Sequence, residues 1–314
     1  MDDLLTHISF YQTTMEQEMI SQYETILQAG ERIRAHRIAK GLSPEEVASK
    51  TGLSRSAIYR YEAGQPIRVD ALGKIADLLG ISLASLFGVG SEFISSALVF
   101  YDRMHQLESN ADQISVLFGP ISFLLTTDHF DSCLRDALSE SVPYAAANRS
   151  NFDSQLDQII EILLARKETY RKRRPSIVSL VSAAELEQFL SLGIVGKQGL
   201  EGEELARRKN SALMEVENIL KMLVDQPMGV QIGIVEDSLP GASFQIFRSG
   251  KLAQVATSSF RLGLYANVRV GVATITAAQD SVELHQEVTE DLWRNSWKGN
   301  DAINAVKEIL QRHK

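Results

Sequence analysis

Residues 41–64 read GLSPEEVASKTGLSRSAIYRYEAG and contain the start and stop signals of two short helices. Ser43 is a candidate N-cap, and Glu46 follows it at the spacing of a capping box. Gly52 can adopt the left-handed conformation that ends a helix. Ser54 can then cap the next helix. The stretch therefore predicts two helices joined by a tight turn at Gly52.

Placed at 100° per residue, the second of these helices has two different faces. Ala57, Ile58 and Tyr61 share an apolar face that can pack on a core. The polar face near the N-terminal end comprises Arg55, Ser56, Tyr59 and Arg60. Such donors suit base edges and phosphates when a helix end enters the major groove of DNA. An ordinary solvated face has the same composition, so this pattern alone leaves both interpretations open.

A longer stretch, residues 30–87, reads GERIRAHRIAKGLSPEEVASKTGLSRSAIYRYEAGQPIRVDALGKIADLLGISLASLF. It resembles the five-helix DNA-binding domain of the phage-repressor, or XRE-type, helix-turn-helix family. The resemblance covers that whole domain but under a fifth of the chain. It implies an all-α domain in which Arg55, Ser56 and Arg60 reach DNA bases.

The same resemblance implies further roles for residues of this domain. Arg37 on the first helix is expected to form an ion pair with Glu62 that braces the recognition helix. Where the family often has a glutamine that holds a phosphate, this chain has Pro44, so we expect that contact to be lost or to move to Ser43. The residues predicted to contact DNA are Ser43, Ser54, Arg55, Ser56, Tyr59, Arg60 and Arg68.

Charge is distributed unevenly along the chain. The formal net charge is −8, yet residues 28–87 carry nine basic and six acidic side chains, a net of +3, which leaves −11 for the remainder. A basic domain attached to an acidic one is expected when only the first touches phosphate. This distribution agrees with double-stranded DNA as the partner of the first domain.

The composition, 44% apolar and 23% charged, is that of an ordinary soluble protein. No run approaches the roughly 20 apolar residues of a membrane span. The acidic and polar start MDDLLTHISFYQ is unlike a secretory signal. Cys133 is the single cysteine, which fits a reducing compartment. We therefore expect a cytoplasmic protein without membrane association.

The length of 314 residues favours about two domains. We predict an amphipathic helix within residues 1–27 and the XRE-type domain over 28–88. A connecting helix over 89–110 and a larger α/β domain with a mixed sheet over 111–314 follow. The partner of the N-terminal helix stays open between the DNA-binding domain, the second domain and a second subunit.

The connecting helix is predicted from a repeat of apolar residues at alternating spacings of four and three. This spacing is typical of the seam of a short coiled coil. The repeat comprises Phe93, Ala97, Phe100, Met104 and Leu107. Such a helix can dimerise, and it equally fits a helix that belongs to the second core.

Beyond the connecting helix, apolar strand patterns alternate with helical ones, which predicts the α/β domain. The predicted strands are 114–118, 121–125, 176–181, 230–235, 244–247, 252–257 and 267–276. The strand-rich half and the following VGVATITAAQDSVELHQEVTEDLW are similar in layout to phospholipase-D-like domains, which serve as effector modules in some regulators. The HxKxxxxD motif of the active enzymes is absent, so the resemblance implies no hydrolysis.

The second domain lacks the motifs that common chemistries require. It has no Gly-rich phosphate loop, no GxSxG elbow, no HExxH and no paired Cys and His set for a metal. We therefore predict no catalytic residue, no metal and no cofactor. His129 lies one helical turn before Cys133, a pair that also arises by chance, and we expect a buried structural thiol. An enzyme with an unrecognised catalytic set stays open.

Two groups of residues in the second domain are candidates for effector binding. Arg248, Arg261 and Arg269 alternate with apolar residues on or beside strands, where they suit an anionic molecule. Trp293 and Trp297 lie one turn apart and can line a pocket. Surface arginines and core tryptophans need no such role.

These patterns together predict a sequence-specific DNA-binding transcriptional regulator. We expect a homodimeric repressor that is controlled by a small-molecule effector bound to the C-terminal domain. Three alternatives stay open: an antitoxin or phage-type regulator whose second domain binds only protein partners, an enzyme fused to a DNA-binding domain, and a dimeric DNA binder without an effector.

Overall fold

The computed structural model describes residues 26–313 apart from 28, 88–89, 118, 142–148, 198 and 237–242. Two compact units divide the chain, Met1–Glu92 and Phe93–Lys314. The predicted N-terminal amphipathic helix lies outside the described residues except for 26 and 27, which are helical.

The described part of the first unit contains five helices and the start of one strand. The helices are α1 over residues 29–39, α2 Pro44–Thr51, α3 Arg55–Glu62, α4 Val69–Leu79 and α5 Leu83–Phe87. Each long helix turns an apolar stripe inward, as the 3.6-residue period requires. Ile33, Val47, Ile58, Ile75 and Leu86 are each no more than 1% exposed and form the centre of one shared core.

The second unit alternates strands and helices. In chain order its elements are β1 Ser91–Ile94, α6 Ala97–Asn110, β2 Gln113–Leu117, α7 Asp128–Glu140, α8 Arg149–Arg173, β3 Ser176–Ser182, α9 Ala183–Leu192, α10 Gly202–Asp225, β4 Val230–Val235, β5 Ser243–Ser249, β6 Leu252–Ser258, β7 Ala273–Thr276, α11 Gln279–Asn295 and α12 Gly299–Arg312. The boundary between the two units falls inside β1.

The seven strands form one mixed sheet in the order β1-β7-β6-β5-β2-β3-β4. Parallel pairing joins β2 to β3 and β3 to β4. Antiparallel pairing joins β2 to β5, β5 to β6 and β6 to β7. The carboxyl ends of β2, β3 and β6 therefore lie at the same edge of the sheet, which also holds the start of β5.

Both faces of this sheet are buried. On one face Leu180, Phe244 and Val255 pack with Leu292 and Trp293 of α11. Residues on the opposite face, Ile114, Ile177 and Ile234 among them, are fully buried as well. Helices α6, α9 and α12 contact β5, β3 and β4. Burial on both faces explains why these strands lack a strict alternation of apolar and polar residues.

The segment predicted as one connecting helix is a strand followed by a helix. Residues 91–94 form β1, in which Phe93 is 65% exposed, and α6 begins only at Ala97. Phe100, Met104 and Leu107 are buried, and α6 packs against α8. Of the two interpretations of the apolar repeat, the structure therefore shows the helix that belongs to the core of the second unit.

Two predicted strands in the second unit differ from the structure. Residues 123–125 form a 3₁₀ turn in which Phe123, Leu124 and Leu125 are all buried, a run that sequence periodicity cannot distinguish from a buried strand. The strand predicted over 267–276 is confined to β7. Asn267 Oδ1 accepts hydrogen bonds from the backbone N–H groups of residues 269 and 270, so the chain turns before the strand begins.

Candidate nucleic-acid interface

The turn between α2 and α3 is built by local capping. The Ser43 hydroxyl accepts from the Glu46 backbone N at 3.2 Å, and Glu46 Oε2 accepts from the Ser43 backbone N at 2.7 Å. Gly52 ends α2 in the left-handed conformation with φ of 71°. Ser54 then caps α3 by accepting from the Ala57 backbone N at 3.2 Å. These bonds satisfy the donors that a helix N-terminus leaves free.

The apolar face of α3 is held in the core of the first unit. Ala57, Ile58 and Tyr61 are all buried. A Cβ built on Gly30 of α1 would lie 2.3 Å from the carbonyl oxygen of Tyr61. Only glycine therefore permits α1 to approach the end of α3 this closely.

Arg37 and Glu62 join α1 to the end of α3. Arg37 Nη2 donates to Glu62 Oε2 at 2.9 Å, its Nε donates to Oε1 at 2.5 Å, and its Nη1 donates to the Leu42 carbonyl oxygen at 2.8 Å. Both side chains are about nine-tenths buried. The hydrogen bond with Glu62 raises the pKa of Arg37. A bidentate pair in this position fixes the orientation of the recognition helix.

The polar face of α3 is exposed on the first unit. Arg55, Ser56, Tyr59 and Arg60 are all exposed. Arg55 forms an ion pair with Glu45 of α2, and its Nη2 donates to Tyr59 Oη at 3.3 Å. The hydrogen bond with Tyr59 and the charge of Glu45 raise the pKa of Arg55. Arg55 is therefore charged and accessible, although its guanidinium is paired with the Glu45 carboxylate.

The other residues predicted to contact DNA differ in whether their side chains already form hydrogen bonds or ion pairs within the protein. The Arg60 side chain makes no hydrogen bond or ion pair with the described residues. Arg68 precedes α4 and pairs with Asp70 at 3.0 Å, with 79% of its side chain exposed. Ser54 Oγ lies 3.1 Å from Ser56 Oγ. The hydroxyls of Ser43 and Ser54 both serve as helix caps, so any phosphate contact that they make must coexist with capping.

The predicted effector residues do not form one site. Arg248 and Trp293 line a groove of about 800 Å³ between the sheet and α11, where Arg248 Nη2 donates to Gln286 Oε1. Trp297 lies elsewhere, and its backbone pairs with that of Ile234. Sequence spacing placed the two tryptophans together, but α11 ends between them.

The other two predicted arginines lie in the segment between β6 and β7. Arg269 is exposed. Arg261 lines a separate cavity of about 220 Å³, which Glu185 also lines. Burial raises the pKa of Glu185, and the positive charge of Arg261 opposes this shift.

Cys133 is buried beside His129 and Ser211. Its Sγ lies 3.8 Å from His129 Nε2 and 2.9 Å from Ser211 Oγ. The His129 Nε2 also lies 2.9 Å from Ser211 Oγ. The thiol is fully buried, as expected, and has no exposed surface to offer a substrate.

Within the described ranges, no group of three His, Cys, Asp or Glu side chains has an arrangement suited to a metal ion. None of the helices in the part of the chain that the structure describes is long and apolar enough to cross a bilayer.

Sequence reasoning did not find two carboxylates that lie near predicted arginines, Glu45 near Arg55 and Glu185 near Arg261. Each occupies the first turn of its helix, where the helix dipole is sufficient to explain an acidic residue. A usable signal exists for Glu185, because it follows the carboxyl end of a strand in a parallel pair, where α/β proteins gather ligand sites.

Of the comparisons with known proteins, the family model agrees with the geometry of the first unit. No curated protein matches the chain. A solved structure of TrmBL2, an archaeal chromatin protein with a novel mode of DNA binding, covers 84% of this chain and 92% of its own at 12% identity and a TM-score of 0.31, too low to carry an argument. A helix-turn-helix family model matches residues 33–86. These residues form an XRE-type helix-turn-helix domain.

Proposed function

We propose that this chain is a sequence-specific DNA-binding regulator of transcription. The observation that carries the proposal is the exposed polar face of α3, on a helix-turn-helix domain that buries the opposite face of the same helix. In such domains the recognition helix enters the major groove with its N-terminal residues toward the base edges. Arg55 and Ser56 form the first turn of α3.

The side chains of α3 suit two kinds of contact. The free guanidinium of Arg60 and the exposed one of Arg55 can each donate two parallel hydrogen bonds to guanine O6 and N7. Arg68, outside the recognition helix, suits a phosphate, which adds affinity but no sequence information. Arg55 must leave Glu45 to reach a base. The exchange is inexpensive because exposed ion pairs contribute only ~0–1 kcal/mol.

A homodimer is the proposed assembly. One recognition helix reads a short half-site, and two half-sites about 34–36 Å apart along the DNA match two copies of the domain. We further propose that the dimer represses transcription by occlusion, since a protein on an operator blocks polymerase without any activating surface. The second unit then supplies effector control, because its own residues line a ligand-sized cavity and a groove.

The first experiment is selection of bound sequences from a random DNA pool by the full chain. The proposal expects enrichment of a palindromic site whose halves are about 10–10.5 base pairs apart, centre to centre. A pool that stays random after selection would overturn sequence-specific binding. Enrichment of a single unpaired half-site would overturn the dimer.

The second experiment places the selected site in front of a reporter gene. Occlusion predicts that reporter output rises when the gene for this protein is deleted and falls again when it is restored. Output that falls on deletion would contradict repression at that site, while leaving DNA binding intact.

A further inference from the structure

The cavity near Arg261 combines aromatic walls with two side chains of opposite charge. It lies where the chain leaves β2 and β3, and where the segment after β6 returns to the sheet. Open α/β sheets bind ligands at the carboxyl ends of their parallel strands. The walls include the rings of Phe123, Phe130 and Phe189, all at least nine-tenths buried. These rings can therefore pack against an apolar part of a ligand.

Glu185 brings a carboxylate to this cavity. Its Oε2 is buried and has no hydrogen-bond partner. The Ser182 hydroxyl accepts from the Glu185 backbone N, so the start of α9 is capped by Ser182 and does not need this carboxylate. Buried polar atoms without a partner are few in native proteins, and each calls for an explanation. A donor supplied by a bound molecule provides one.

Arg261 brings a charge of the opposite sign to the same cavity. It is not paired with Glu185, and its side chain makes no hydrogen bond or ion pair with the described residues. The backbone around it is held by mutual hydrogen bonds with Asn267 and by a bond from the Ala266 N to the Val195 carbonyl oxygen. Tyr265 in the same segment has a φ of 53°, an uncommon conformation for a residue other than glycine. Such backbone strain clusters at ligand sites.

We propose that this cavity binds a small zwitterion, an α-amino acid with an apolar side chain. The ammonium group donates to Glu185, the carboxylate pairs with Arg261, and the side chain lies among the three phenylalanine rings. The volume of about 220 Å³ suits a molecule smaller than a drug-sized ligand. That this amino acid acts as the effector rests on the proposed function. That the cavity binds it is independent of the proposed function.

The two charges together favour a zwitterion over simpler ions. A cation alone would satisfy Glu185 but would meet the repulsion of Arg261. An anion alone would satisfy Arg261 but would meet a carboxylate and leave its Oε2 without a donor. A molecule with both groups satisfies each charge and leaves the cavity neutral, which limits the cost of burying charge.

The test is isothermal titration calorimetry on the full chain with L-leucine and L-phenylalanine. Two fragments of leucine serve as comparisons: isopentylamine retains the ammonium group, and 4-methylpentanoate retains the carboxylate. At least one amino acid is expected to bind, and each fragment is expected to bind at least about tenfold more weakly than L-leucine, since it loses one charge-assisted contact. A fragment that binds as tightly as L-leucine would overturn the zwitterion, and so would the absence of binding by both amino acids.

Substitutions locate the binding site. Glu185→Gln keeps the side-chain shape and should weaken amino-acid binding by about ten- to a hundredfold. Arg261→Gln should weaken it by about three- to tenfold, because this guanidinium is exposed to solvent. Glu187→Gln on the same helix and Arg269→Gln in the same segment are matched controls, expected to change affinity by less than about twofold. Wild-type affinity in both cavity variants would overturn the site.

DNA binding measured on the same preparation separates this inference from the proposed function. If the chain binds its selected DNA site but no amino acid, only the ligand assignment fails. If it binds an amino acid with the expected dependence on Glu185 and Arg261 but shows no preference among DNA sequences, the ligand site stands and the regulator proposal fails.

Discussion

The contacts within the first unit and those within the second unit join residues at very different separations along the sequence. In the helix-turn-helix unit, Ser43 and Glu46 cap each other across three residues, and Ser54 caps α3 over the same distance. In the second unit, Arg166 pairs with Glu108 across 58 residues, and Arg208 pairs with Glu140 across 68. The first unit can therefore be predicted from neighbouring residues in the sequence. The second unit cannot, because its buried charged residues pair with partners that are distant in the sequence.

The units also differ in what their polar residues are free to do. On α3 the polar side chains lie at the surface, where a partner can reach them. In the second unit, large buried charged side chains form ion pairs with one another, such as Arg166 with Glu108 and Lys167 with Asp131. Glu185 is different because its carboxylate, one oxygen of which is buried, forms neither a hydrogen bond nor an ion pair with the described residues.

The largest effect is expected from removing a buried charge of the second unit. Arg208 is fully buried and donates to the carbonyl oxygens of Cys133 and Ile194 and to the carboxylates of Glu140 and Glu204. Arg208→Ala should lower the free energy of unfolding by ~3–5 kcal/mol, since it leaves these acceptors unpaired. Tryptophan fluorescence during urea unfolding measures this, because both tryptophans of the chain lie in the second unit.

The neighbouring Arg207 is the matched control for that variant. It shares Glu204 with Arg208, and the two arginines together lower the pKa of that carboxyl to about 2. Its side chain is 47% exposed, so Arg207→Ala should cost no more than ~1 kcal/mol. Equal losses for the two variants would contradict the view that burial decides the contribution of these pairs.

A smaller effect, confined to the first unit, is expected at Gly30. Gly30→Ala places a Cβ 2.3 Å from the Tyr61 carbonyl oxygen, and forcing α1 away from α3 should cost ~1–3 kcal/mol. Far-UV circular dichroism should show earlier loss of helix, while the tryptophan transition stays in place. Gly73→Ala in α4 is the control, because no atom lies within 4 Å of its added Cβ. It should stabilise the unit by ~0.5–1 kcal/mol.

The smallest effect is expected at the exposed pair between α2 and α3. Glu45→Gln removes the carboxylate that holds Arg55 and that would repel phosphate. DNA affinity at low salt should rise, by no more than about fivefold, as expected for a pair worth ~0–1 kcal/mol. Fluorescence anisotropy with labelled DNA measures the change. Asp70→Gln is the comparison, since it frees Arg68 but not a residue of α3. A loss of affinity in Glu45→Gln would show that Glu45 positions Arg55.

Much of the first unit could be predicted from the sequence because its determinants are close neighbours. The caps at Ser43 and Ser54 and the turn at Gly52 follow from residue types within a few positions. The pair between Arg37 and Glu62 was implied by the resemblance, and the structure forms it. The ion pair between Arg55 and Glu45 was not predicted, because an acidic first turn already has a local explanation.

The second unit was predictable in its order of elements but not in its contacts. The apolar repeat of the helix from Ala97 fitted a coiled-coil seam and a helix of the second core equally, because periodicity does not reveal which surface buries an apolar stripe. Asn267 interrupts a predicted strand through hydrogen bonds to its own backbone. The separation of Arg248, Arg261 and Arg269 into different places depends on the sheet order, which pattern alone does not specify.

The most direct test of the account compares single arginine variants on the selected DNA site and on a scrambled sequence, by fluorescence anisotropy at fixed salt. Arg55→Ala and Arg60→Ala should each lose ~1–3 kcal/mol of binding on the selected site and much less on the scrambled one. Arg135→Ala, which removes an exposed arginine from the second unit, should bind both sequences as the wild type does. Wild-type affinity in both α3 variants, or equal losses on the two sequences, would contradict base recognition by α3.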